Sequence, residues 1–135
     1  MSAIPVRLRR LVTSRAGNRC EYCGLRQEHA PFTPFHIEHA IARQHGGGDD
    51  LSNLALACHH CNLHKGPNLT GIDPRTREVV PLFHPRKDRW KEHFELDSAE
   101  IRGLTTRGRA TVQVLNMNSE DRLVLRMELR KRGEC

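Results

Sequence analysis

A chain of 135 residues that is 37% hydrophobic and only 4% aromatic has room for a modest core and little material to hold it together. Its formal charge of +6 and pI near 9.5 suit either a polyanionic partner or a solvated basic surface, and charge alone goes no further. No stretch approaches the apolar length of a membrane span, and Ile4 to Val12, interrupted by Arg7, Arg9 and Arg10, lacks the apolar run of a secretion signal. A cytoplasmic protein with no membrane partner is expected, in a reducing compartment where paired cysteines more often bind metal than form disulfides.

Pro5 to Ala16 reads as a first helix, with Leu8, Leu11 and Val12 on one face and a stop at Gly17-Asn18. Its arginines, Arg7, Arg9, Arg10 and Arg15, suit a phosphate backbone or a solvated face. Cys20-x-x-Cys23-Gly24 reads as a metal knuckle. Arg26 to Pro34 is loop, Phe35 to Ile41 a short strand, Ala42 to Ser52 a glycine- and aspartate-rich loop, and Leu54 to Ala57 a second strand. Cys58-x-x-Cys61 follows, on a helix from His59 to Lys65 that Gly66-Pro67 ends.

Beyond Pro67, Glu78 to Phe83 reads as a strand and Trp90 to Leu96 as strand or helix. Arg107 to Met117 has helical spacing at Ala110, Val114 and Met117. A last helix spans Glu120 to Lys131, capped by Asn118-Ser119, with Leu123, Val124 and Met127 on one face. The fold class is α+β: a small zinc-stabilised finger with an N-terminal helix, residues 1–68, and a strand-plus-two-helix extension, residues 69–135, packed on it as one compact domain.

Two C-x-x-C pairs suit a closed, structural tetrahedral zinc site of Cys20, Cys23, Cys58 and Cys61, although His59, His60 or His64 in place of one thiolate also fits. The residues between the pairs must then form a structured excursion. Cys135 is unpaired by pattern and has no assigned task. Within the excursion, His39 is the candidate general base, since imidazole is substantially neutral near pH 7. Glu38 is a hard oxygen ligand suited to Mg²⁺ or Mn²⁺. Neighbours on a regular strand point to opposite faces, so serving one site requires the strand to end or twist at Glu38-His39. Asn62 is offset about 100° from Cys61 on its helix and is turned toward a second metal. Lys65 shares the side of Asn62 and suits a phosphate. Asn53 is placed to bond loop carbonyls and fix the loop carrying His39. His36, on the strand face of Glu38, is a further ligand or a phosphate contact, while His45, His59, His60 and His64 read as surface or groove residues. His84, in Leu82-Phe83-His84-Pro85-Arg86, reads as a turn residue.

The run Cys20-x-x-Cys23, Glu38-His39, Gly46-Gly47, Asn53-Leu54, Cys58-x-x-Cys61, Asn62 and Lys65 resembles the HNH endonuclease family, whose core is a ββα-metal finger. The resemblance covers about residues 18 to 68. It implies that His39 activates water, that Glu38 and Asn62 hold one divalent cation, and that Asn53 orients the loop. It also implies a DNA partner, with RNA as an open alternative, and products bearing 5′-phosphate and 3′-hydroxyl ends. Two positions depart from the pattern: Glu38 stands where the family usually has Asp, and Asn62 where many members have His. The latter matches a His-Asn-Asn variant of the family. A non-catalytic nucleic-acid-binding zinc finger is the alternative, and both a monomer and a homodimer fit.

Overall fold

The computed structural model describes residues 3–135 and divides them into two compact units. The first comprises the described residues up to Leu69 together with His84–Asp88; the second comprises Thr70–Phe83 and Arg89–Cys135.

In the first unit, helix α1 (Val6–Arg15) follows Pro5 at its N-cap. Strands β1 (His36–His39) and β2 (Leu54–Ala57) form an antiparallel hairpin with His36 opposite Ala57 and His39 opposite Leu54. Because strand side chains alternate, Leu54 and Leu56 leave on one face and Ala55 and Ala57 on the other. The leucine face joins Ile4 and Val12 in the core, with Leu8, Ala16, Phe35 and Ile37 packed around them. Leu11, expected on the buried face of α1, is exposed. Its place toward the hairpin is taken by Leu8 and Val12, which are four residues apart and therefore aligned. Helix α2 (His59–Lys65) packs on β1. The small Ala55 and Ala57 side chains on the second hairpin face suit that close approach.

The second unit is richer than a strand and two helices. Strands β3 (Thr70–Ile72) and β4 (Val79–Pro81) pair antiparallel, as do β5 (Phe94–Asp97) and β6 (Glu100–Gly103). Between the hairpins lies a single helical turn, α3 (Trp90–His93), so the ambiguous stretch Trp90 to Leu96 is a helix followed by a strand. Helices α4 (Thr106–Val114) and α5 (Glu120–Lys131) complete the unit, and Ser119 caps α5 through the Arg122 N–H. Strand β3 lies under α4, where a Cβ at Gly71 would come within 2.7 Å of a Val114 methyl. On α5 the expected apolar face is not the buried one: Val124 and Met127 are exposed while Arg126 and Leu129 are buried. Arg126 goes inward because its guanidinium donates to the carbonyls of Ala99 and Met117 and to Asn118 Oδ1.

Candidate active site

The cysteines come together where β2 passes into α2. The Sγ atoms of Cys20, Cys23, Cys58 and Cys61 all lie within 4.8 Å of one another. Zinc–sulfur bonds of about 2.3 Å in a tetrahedron place sulfurs about 3.8 Å apart, and Cys23 Sγ lies 3.8 Å from Cys58 Sγ. In each pair the first sulfur accepts the backbone N–H of the second cysteine, Cys23 to Cys20 and Cys61 to Cys58. The four-thiolate set therefore fits structural zinc, and no histidine is needed to complete it. Burial drives the Cys20 thiol up, whereas hydrogen bonds from the other three hold Cys58 far down. A cation is what lets such crowded thiolates share one buried place.

The zinc knuckle also positions Tyr22 and Glu21. Glu21 is bonded to β2 twice, its N–H donating to Leu56 O and its Oε2 accepting the Leu56 N–H, and it pairs with Arg86. Arg86 is reached through a turn in which the His84 N–H donates to Asp88 and the Arg86 N–H donates to His84 Nδ1. His84 is thus part of a turn, and burial lowers its pKa. Tyr22 is fully buried and its hydroxyl donates to Glu38 Oε2 at 2.6 Å. Glu38 itself is only 5% exposed.

Lys65 closes the other side of Glu38. Expected as a phosphate contact, it is 2% exposed with its Nζ 2.7 Å from Glu38 Oε1. The contact is a short, charge-assisted ion pair. The physical reason for the inward turn is charge: a buried carboxylate requires a counter-ion. Burial still raises the Glu38 pKa, and Lys65 and then Tyr22 work against that rise.

His39 leaves the opposite face of β1, and its Nε2 lies 2.7 Å from Asp49 Oδ1. Arg43 forks onto the same carboxylate, Nε to Oδ1 and Nη2 to Oδ2, both at 3.0 Å. Arg43 and then His39 hold Asp49 below the usual carboxylate range. Asp49 is therefore ionised at neutral pH and only accepts, which puts the proton of a neutral His39 on Nε2 and leaves Nδ1 basic. Asn53 braces this loop: its Nδ2 donates to Ile41 O and Gly48 O, each at 2.9 Å, and its Oδ1 accepts the Ile41 N–H at 2.8 Å. A Cβ at Gly47 would sit 1.7 Å from Ile41 O, so only glycine lets the loop close here.

The structure thus gathers Glu38 with Lys65 and Tyr22 on one side of β1, and His39 with Asp49 and Arg43 on the other. His36 lies on the Glu38 side, its Nε2 3.1 Å from His59 Nδ1. Asn62 is partly exposed on α2, one turn after His59 and one turn before Lys65. Reading the residues in order misses Tyr22, Arg43 and Asp49. The one available signal for Tyr22 is its place inside a metal knuckle; Arg43 and Asp49 look like ordinary loop charges until the loop folds.

A two-stranded hairpin followed by a helix, with one Cys pair before the hairpin and one at the start of the helix, makes a small four-thiolate finger of the ββα kind. Residues 20–68 match the family described as HNH endonuclease. Across a longer stretch, the chain is similar to the Septu protein PtuB of Bacillus thuringiensis, 28% identical over 117 residues that cover 81% of this chain and 40% of that protein. The chain therefore spans about two fifths of that relative's length. No solved structure matches it significantly. Among the described residues, no helix is long and apolar enough to cross a membrane.

Proposed function

We propose that the first unit is a metal-dependent endonuclease finger that hydrolyses phosphodiester bonds in DNA, with His39 as the general base. The observation that carries this reading is the His39–Asp49 contact at 2.7 Å, on a loop braced by Asn53. A carboxylate on one ring nitrogen fixes the tautomer and supports the charge that appears when the other takes a proton. His39 Nδ1 removes a proton from water, the water oxygen bonds to phosphorus, and the bond from phosphorus to the 3′ oxygen breaks. The 3′ oxygen takes a proton from solvent, leaving 5′-phosphate and 3′-hydroxyl ends. Arg43, which already forks a carboxylate beside His39, has the geometry to hold a phosphate oxygen there as well.

Glu38 and Asn62 would hold Mg²⁺ or Mn²⁺, since both offer hard oxygens. When bound, such an ion supplies Lewis-acid stabilisation of the charge on the phosphate and the leaving oxygen. Lys65 has to yield its place at Oε1 for this to happen, and β1 has to turn at its last residue, His39, for an ion at Glu38 and the imidazole to meet at one phosphate. The same burial of Glu38 under Lys65 favours a second reading, a zinc finger that binds nucleic acid without cutting it.

Plasmid nicking with Mg²⁺ or Mn²⁺, wild type against His39→Ala at equal zinc content, separates the two. The first reading expects nicking by wild type and its loss in a variant that still binds DNA. Equal cleavage by both proteins places the base elsewhere. Binding without cleavage by both supports the second reading.

A further inference from the structure

A pair of imidazoles converges beside the first turn of α2, on the opposite strand face from His39. We propose that His36 and His59 form a binding site for a borderline divalent transition metal such as Ni²⁺, Co²⁺ or Zn²⁺. The site is distinct from the structural zinc and from the carboxylate of Glu38. His36 Nε2 and His59 Nδ1 lie 3.1 Å apart, with ring centroids at 5.3 Å and planes tilted by 37°. Metal–imidazole bonds of about 2.0–2.1 Å put two adjacent nitrogens about 2.9 Å apart in an octahedron and about 3.3 Å apart in a tetrahedron. The observed separation falls between those two edges, so both nitrogens reach one ion with little rearrangement.

The two rings are also held where they are by features unrelated to each other. His36 opposes Ala57 in the β1–β2 register, and His59 directly follows the zinc ligand Cys58 as the first residue of α2. Both rest on the part of the finger that the zinc cluster makes rigid, which is what a preorganised ligand pair requires. Donor chemistry selects the ion: two neutral imidazoles favour the later first-row metals, whereas Mg²⁺ and Ca²⁺ seek oxygen. The nearest carboxylate along this strand face, Glu38, is already engaged by Tyr22 and Lys65. The plain alternative is that the two rings only hydrogen-bond to each other. A second histidine pair, His60 and His64, one helical turn apart with centroids at 4.4 Å, is the obvious competitor for any added metal.

The test is Ni²⁺ titration of the zinc-loaded full chain at neutral pH, followed by calorimetry. Cobalt absorption then reports whether the added ion meets nitrogen or thiolate ligands. Wild type is expected to bind one added ion per chain through nitrogen. His36→Ala and His59→Ala should each weaken it by more than the roughly 10–100-fold that follows loss of a ligand's supporting partner, while His60→Ala/His64→Ala leaves it unchanged. Retained affinity in His36→Ala and His59→Ala overturns the proposal, as does loss confined to the His60/His64 variant. Absence of Ni²⁺ binding by folded, zinc-loaded wild type overturns it too. Cleavage is not the readout, so a protein that binds Ni²⁺ here yet cuts no DNA leaves this site standing and removes only the endonuclease reading.

Discussion

The two units treat their buried polar groups differently. In the second, Asp73 is fully buried, and its carboxylate accepts from Arg109 Nε and Nη2 at 2.9 and 2.8 Å, from the Arg75 N–H at 3.0 Å and from the Thr76 hydroxyl at 2.9 Å. Thr111 accepts the Phe83 N–H and donates to Arg107 O. Arg126 spends its guanidinium on backbone carbonyls and Asn118. In the first unit, four sulfurs crowd together and the buried Glu38 is held between the Tyr22 hydroxyl and the Lys65 ammonium, while at the surface two imidazole nitrogens face each other. A chain that completes its own bonding in one region and leaves donors and acceptors converging in another marks the second kind of region as the site.

The comparison predicts unequal dependence on metal, and this is the largest effect. Zinc binding supplies folding energy to a module of this type. Chelation, or Cys58→Ser, is expected to unfold the first unit while amides of α4 and α5 keep their protection from hydrogen exchange. The chromophores assist: the single tyrosine, Tyr22, is in the first unit, and the single tryptophan, Trp90, stacks on Phe94 in the second. Chelation should alter the tyrosine signal and spare tryptophan fluorescence. Simultaneous loss of both signals would erase the distinction between the units.

The Glu38–Lys65 pair comes next. Removing one member of a buried ion pair costs about 3–5 kcal/mol because the other charge is stranded, whereas replacing both by neutral groups is often close to harmless. Glu38→Gln and Lys65→Met should each destabilise the first unit by that order in urea melts, and the double variant should recover most of the loss. Additive losses would mean that the two side chains act independently and that Lys65 is not the counter-ion of Glu38.

How much of this could be read in order along the chain depends on where the information sits. Strand β2 and helix α2 lie where their residues predict, because Asn53, the Cys pair and Gly66-Pro67 punctuate them locally. The β5–β6 hairpin was invisible because its turn is Ser98-Ala99, with Ser98 at φ 56°, a left-handed position normally signalled by glycine or asparagine. Strand β3 has only three residues and Gly71 at its centre, a strand breaker by propensity that is required by the approach of α4. At the site, residue types were legible and partners were not. Glu38, His39, Asn53 and Asn62 stand out by kind and spacing, but the inward turn of Lys65 and the meeting of His39 with Asp49 follow from burial and loop closure, which no local pattern encodes.

Acid should separate the units in a different way from chelation. Arg109, with support from the Arg75 N–H and Thr76, holds Asp73 well below the ordinary carboxylate range. A carboxyl whose folded pKa is depressed binds fewer protons folded than unfolded, so its stabilisation is full above the unfolded value near 3.9 and is lost as pH falls toward the folded one. Asp73→Asn should therefore be less stable than wild type at neutral pH, with the gap narrowing below about pH 4. Urea melts followed by Trp90 fluorescence at several pH values test this. A gap independent of pH would mean that Asp73 acts by shape and neutral hydrogen bonds alone.

The smallest expected effect concerns Asp49, which touches His39 and not the reacting atoms and so acts as a positioning residue. Asn at this position keeps the size of the side chain, but its amide both donates and accepts, so it no longer obliges His39 to carry its proton on Nε2. The Arg43 fork weakens as well, since it loses a charged partner. Asp49→Asn should leave zinc content unchanged and lower thermal stability only slightly, because the carboxylate is part-exposed at the surface of the loop and Asn53 does the bracing. If His39 is the base, nicking should fall by about tenfold, less than the roughly 10²–10⁴-fold contribution of a general base itself. The decisive readout is independent of cleavage: imidazole ¹⁵N shifts should report one tautomer of His39 in wild type and a mixture in the variant. An unchanged tautomer would show that Asp49 does not orient His39, whatever happens to the rate, whereas a shifted tautomer with an unchanged rate would keep the contact and dismiss His39 as the base.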